Sequence, residues 1–140
     1  MRQFNPEQEV PSLELCKRLK ELGYPQEGGG WYWVDLDKPY LTWYGIADEP
    51  PDDYYIKAPT VRELGEWLPV DVKLKEGDAY LQMDNLKLCG FKTTIRLLSY
   101  CLYNSHFSVV IIEDATEPNA RAKMLIWLAE NGYIKFTEDK

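Results

Sequence analysis

A row of tyrosines on an open sheet face can stack on bases, sugars or peptide groups, and tyrosine is enriched where proteins meet. Tyr32, Tyr40, Tyr44, Tyr54 and Tyr55 fall close together in a chain of 140 residues that holds five Trp, ten Tyr and four Phe. In the segment WYWVDL, strand alternation sends Trp31 and Trp33 to one face and Tyr32 and Val34 to the other. With YLTWYG as its hairpin partner, Trp43 joins the tryptophans if they face the core, and Tyr40 and Tyr44 join Tyr32. That tyrosine face is either open for binding or covered by a second layer such as a helix. Directly after it, the proline-stiffened loop ADEPPDD brings Asp48, Glu49, Asp52 and Asp53 together. Carboxylates so placed could hold a hard cation or face a basic partner, and they are equally what a solvated loop carries.

Other groupings carry less chemistry. Gly28, Gly29 and Gly30 precede a strand, whereas phosphate-cradling glycines follow a strand and open a helix; no Lys with Ser or Thr follows them either. They read as a flexible turn. His106, the single histidine, lies five residues after Cys101, a spacing that matches no nucleophile and base motif. Adding Cys16 and Cys89 gives four potential zinc ligands, but without the short paired spacings of a structural site. Glu113, Asp114 and Glu117 stand at the start of a helix, where its dipole explains them. The sequence therefore points to a chain that is not an enzyme, with no catalytic residue, metal or cofactor.

The elements that position these residues are legible from caps and periodicity. Ser12 caps a helix with Leu15, Cys16, Leu19 and Leu22 on one face, stopped by Gly23 and Pro25. Tyr54 to Lys57 suits a short strand. Thr60 and Glu63 form a T-x-x-E capping box for a helix through Arg62, Leu64 and Trp67 that ends by Pro69. Val70, Val72 and Leu74 alternate with charged residues, and Glu76-Gly77-Asp78 turns the chain into AYLQM, an antiparallel hairpin. Residues 91–103 fit a helix by the spacing of Phe91, Ile95, Leu98 and Leu102 and a strand by their composition; strand is the reading preferred. Phe107 to Ile112 is a further strand. Thr116 caps a last helix with Pro118 in its first turn and Gly132 at its end. In that helix Met124, Leu125, Ile126, Trp127 and Leu128 are consecutive, so the helix must be covered on more than one side, by the first helix or by a second subunit. The expected fold is a single α+β domain over residues 1–140, an antiparallel sheet of about five to six strands with three helices packed on it.

Hydrophobic residues at 45% and charged residues at 28% are the balance of a globular protein. A chain this long buries roughly two thirds of its unfolded surface, so no disulfide or metal is needed for it to fold. The formal charge of −7 is concentrated in the first 60 residues, and direct binding of duplex DNA is not expected. Asn85 to Ile112 lacks carboxylates and includes Lys87, Lys92 and Arg96, which is a weak basic stretch or a solvated sheet face. Three widely spaced cysteines and a polar opening, MRQFNPEQE, suggest a reducing, cytoplasmic setting. The longest apolar run is far short of the ~18 residues a membrane helix requires.

The order of segments SLELCKRLKELGY, an aromatic strand, APTVRELGEWLP, further strands and NARAKMLIWLAENGYI resembles a set of small proteins encoded by bacterial viruses and prophages, mostly of Firmicutes and related bacteria. The similarity rests on helical segments, EWLP and AKMLIWL-ENGYI, and carries over no site residue. It implies a cytoplasmic accessory protein. Together with acidity and the lack of a catalytic group, it favours a noncatalytic protein that binds a host or viral protein, with countering a host defence as one form. An acidic loop and an aromatic face suit a basic nucleic-acid-binding groove on a host enzyme. The alternative is a small-molecule or nucleotide binder using the aromatic sheet face. The chain would act as a monomer, or as a homodimer through the last helix.

Overall fold

The computed structural model describes residues 6–45, 53–75, 77–87, 94–103 and 108–136. A single helical turn, α1 (Pro6–Glu9), leads into α2 (Leu13–Glu21), which Ser12 caps by accepting from the Leu15 N–H at 3.4 Å. Cys16 and Leu19 are fully buried, and Gly23, at φ 101°, turns the chain away from the helix.

Three strands follow: β1 (Gly30–Val34), β2 (Tyr40–Tyr44) and β3 (Tyr55–Lys57), assembled in the order β2-β1-β3 with both pairings antiparallel. Pro59 then ends sheet pairing, and the capping box turns the chain into α3 (Val61–Trp67): the Thr60 hydroxyl accepts from the Glu63 N–H at 3.4 Å while the Glu63 carboxylate accepts from the Thr60 N–H at 3.1 Å. Beyond Pro69, β4 (Asp71–Leu74), β5 (Gly77–Lys87), β6 (Thr94–Leu102) and β7 (Ser108–Asp114) form a second antiparallel sheet in chain order. α4 (Glu117–Glu130) closes the fold, capped by Thr116, with Pro118 in its first turn and Gly132, at φ 78°, after its end.

The fold is α+β, as the sequence indicates, but among the described residues there are seven strands in two sheets rather than five or six in one, and four helices rather than three. The physical reason lies between β3 and β4. Pro59 and the capped helix carry the chain off the first sheet, and Pro69 releases it where β4 pairs with β5 and not with β3. The ambiguous segment is a strand over Thr94–Leu102, because pairing with both β5 and β7 lets Leu98 and Tyr100 enter the core from one face. α1 has no apolar face of its own to announce it.

α2 and α4 lie between the sheets. α2 touches β3 and α4, and α4 touches β6, β7, α2 and α3. The main core joins Val72, Leu74, Ala79, Leu98 and Tyr100 of the larger sheet to α4 and α3, and a smaller core sets Cys16 of α2 against Trp31 and Trp33. In α4, Met124, Leu125 and Leu128 are wholly buried, Ile126 nearly so, and Trp127 is half-buried and stacked on Tyr133. Sheet on one side and two helices on the others thus absorb the five consecutive apolar residues within one chain. The reason for expecting a homodimer through this helix is removed. No helix among the described residues is long and apolar enough to cross a membrane.

Candidate functional site

Cross-strand register places the aromatics. Trp31 lies opposite Trp43 and Trp33 opposite Leu41, so these four share one face; Tyr32 lies opposite Thr42 and Lys57, Val34 opposite Tyr40 and Tyr55, and Gly30 opposite Tyr44, so these share the other. The tryptophan face packs on α2 and the segment before it. The Trp33 indole donates to the Pro11 carbonyl at 3.0 Å, and the Cys16 thiol donates to the same oxygen at 3.5 Å. Burial pushes the Cys16 thiol far above its ordinary value, as expected of an inert core cysteine. Trp43 is a correction to the idea that all three tryptophans face the core: it is 60% exposed on β2, the edge strand opposite the one that α2 contacts, and it meets Trp31 edge to face at 5.3 Å.

On the tyrosine face Tyr32 and Val34 are buried. Tyrosines of the two edge strands close over the central one. The Tyr44 ring stands edge to face on Tyr32 at 5.6 Å and on Tyr55 at 5.7 Å, and Tyr55 meets Tyr54 at 5.0 Å. Among the described residues the tyrosines themselves supply a second layer. Its inner end is fixed: the Tyr32 hydroxyl donates to the Gln26 carbonyl at 2.6 Å, and burial, followed by the charges of Glu27 and Glu63, raises its pKa. At its outer end Tyr40 and Tyr54 are exposed.

Lys57 is the residue that sequence reasoning missed. On the tyrosine face and only 3% exposed, its ammonium donates to the Gly29 carbonyl, pairs with Glu63 Oε2 at 3.4 Å and lies 5.2 Å from the Tyr32 ring centroid. The Gly28-Gly29-Gly30 run, all at positive φ, wraps this group: a Cβ on Gly30 would lie 2.9 Å from Lys57 Nζ. The glycines hold a buried ammonium of the chain itself, and the Glu63 that completes the capping box is also its counter-ion. In the sequence, the lysine closing Tyr-Ile-Lys sits in phase with Tyr55, but only the β1–β3 register shows what it meets.

The other candidates are not brought together. Asp53 is exposed, and its carbonyl accepts from Lys20 Nζ at 2.7 Å; Asp48, Glu49 and Asp52 lie outside the described residues. Cys101 is buried on the face of the larger sheet opposite Leu98 and Tyr100, where its thiol donates to Gln82 Oε1 at 3.2 Å and lies 3.3 Å from the Ser108 hydroxyl. His106 and Cys89 lie outside the described residues, as does Lys92. Glu117 pairs with Arg121 and Asp114 with Lys123. Among the described residues no group of three or more His, Cys, Asp or Glu is arranged to hold a metal ion. Chemically the aromatic sheet offers contact: apolar ring faces and hydroxyl tips on a rigid support, with its one lysine enclosed and paired. Comparison of the chain with protein-family models, with curated proteins and with solved structures finds no match.

Proposed function

We propose that this is a noncatalytic accessory protein of a phage or prophage that acts by binding a host or viral protein, with the open end of the tyrosine layer as its contact surface. The observation that supports this reading is the gradient along that layer, from Tyr32, buried and hydrogen-bonded, through half-buried Tyr44 and Tyr55 to exposed Tyr54 and Tyr40. Rings held in place before binding lose little rotamer freedom on association, which is why tyrosine recurs at energetic centres of interfaces. The edge-to-face packing uses ring faces within the layer, which favours a protein contact over a platform for stacked bases.

The test places a photo-crosslinking amino acid at Tyr54 or Tyr40, with Val70, exposed just before β4, as control. In cells carrying the gene, one defined protein should be captured from the first two positions and not from Val70. Equal capture from all three, or a small molecule retained by the purified chain in native mass spectrometry, would count against this reading.

A further inference from the structure

We propose that β2 pairs with β2 of a second copy of this chain, antiparallel and two-fold symmetric about Thr42, joining two three-stranded sheets into one of six strands. Among the described residues the two sheets present four edge strands, β2, β3, β4 and β7. Edge strands invite pairing with other chains, and natural proteins blunt them with charge, proline or brevity. β3 has three residues, ends in Lys57 and runs into Pro59; β4 has four and carries Asp71 and Lys73; β7 carries Glu113 and Asp114. β2, with the sequence Tyr-Leu-Thr-Trp-Tyr, is five residues long and carries no charge or proline within it, Pro39 standing just before its start. Among the described residues its backbone hydrogen bonds run to β1 alone, and Tyr40 and Trp43 are 50% and 60% exposed.

The same five residues say which partner fits. Reversed about Thr42, the strand matches itself in character: Tyr40 falls opposite the second copy's Tyr44, Leu41 opposite its Trp43, and Thr42 opposite its Thr42. Tyr40 and Tyr44 belong to the tyrosine face and Leu41 and Trp43 to the tryptophan face, so each cross-strand pair joins like with like on one side of the sheet. A chain of charge −7 repels its own copies, and this strand is an edge that sets no like charges opposite one another. Such self-complementarity is the requirement of a closed two-fold contact. The product carries two tyrosine layers side by side on one face. The inference does not depend on the partner proposed above.

Five paired residues form a small contact, so the association should be weak and concentration-dependent. Sedimentation of the full chain from low to high micromolar concentration should show a monomer–dimer equilibrium. Thr42→Lys, which sets like charges opposite each other at the two-fold axis, and Thr42→Glu should each weaken it at least about tenfold, with thermal melting close to that of the parent. An equimolar mixture of the two variants should restore the dimer, since only the register centred on Thr42 sets the substituted positions opposite each other. If Thr42 variants fail to fold, Trp43→Lys at a largely exposed side chain tests the same edge. A parent chain that stays monomeric throughout, a dimer indifferent to these substitutions, or a mixture that stays monomeric overturns the proposal.

Discussion

The four-stranded sheet and the three-stranded sheet are covered by different chemistry. On the former, Val72, Leu74, Ala79 and Leu98 meet an apolar helix, and the stabilisation is area removed from water, with little directional demand. On the latter, a buried ammonium, a glycine carbonyl, a shared carboxylate and four tyrosine rings must meet at set distances. Apolar packing tolerates repacking, whereas a polar network is worth most when complete. The difference predicts that damage to the first sheet type spreads through the whole fold, while damage to the second is sharper in geometry and more local in extent.

The largest effect should come from Leu125→Ala in α4, fully buried in the main core. A loss of about 3 kcal/mol in urea denaturation is expected, as for a Leu truncation that leaves a cavity, with protection against hydrogen exchange falling in both sheets. Gly30→Ala should follow at about 2 kcal/mol, since alanine is strained at φ 101° and its Cβ would crowd Lys57 Nζ. Here exchange should rise in β1 to β3 and much less in β5 to β7. Uniform loss in both sheets would erase the distinction between them.

That distinction was only half legible in the sequence. Helices announce themselves through local signals, and Ser12, Thr60 with Glu63, Thr116 and Gly132 all do in the structure what their types and spacing indicate. The face assignment of Tyr32, Tyr40 and Tyr44 is also local, being strand parity. Whether β4 continues the first sheet or starts another depends on where α3 delivers the chain, which no short window contains. The role of Lys57 depends likewise on three contacts distant in sequence, with Gly29, Tyr32 and, through the capping box, Glu63. Hence the glycine run looked like a mere turn.

The capping box ties the two regions, because Glu63 caps α3, which packs on α4, and also pairs with Lys57. Thr60→Ala should cost about 1 kcal/mol. Since the carboxylate loses the Thr60 hydroxyl that donates to Glu63 Oε1 at 3.2 Å, hydrogen exchange should increase at the start of α3 and around Gly29 together. A change confined to α3 would separate the cap from the lysine cradle.

The smallest effect concerns Asp114, at the junction of β7 and α4, on the side of the molecule where burial dominates. Its carboxylate pairs with Lys123 Nζ at 2.7 Å and accepts from the Thr116 N–H at 3.2 Å and the Asn119 side-chain amide at 3.4 Å. Partial burial by itself would raise its pKa; the Lys123 ammonium and the two N–H donors outweigh that and hold it below the usual carboxylate value. A carboxyl whose folded pKa is depressed contributes stability above the unfolded value, about 3.9, and loses it as pH falls through the lower folded value. Asp114→Asn should therefore cost about 0.5 kcal/mol at neutral pH, the scale of a partly exposed pair at a helix start. The difference from the parent should shrink as the pH drops below about 4, where the parent carboxylate takes up its proton. Because this pair sits where packing carries the load, hydrogen exchange in the aromatic sheet should stay unchanged in the variant. A pH-independent difference would mean that Asp114 acts through its hydrogen-bonded shape and not through its charge.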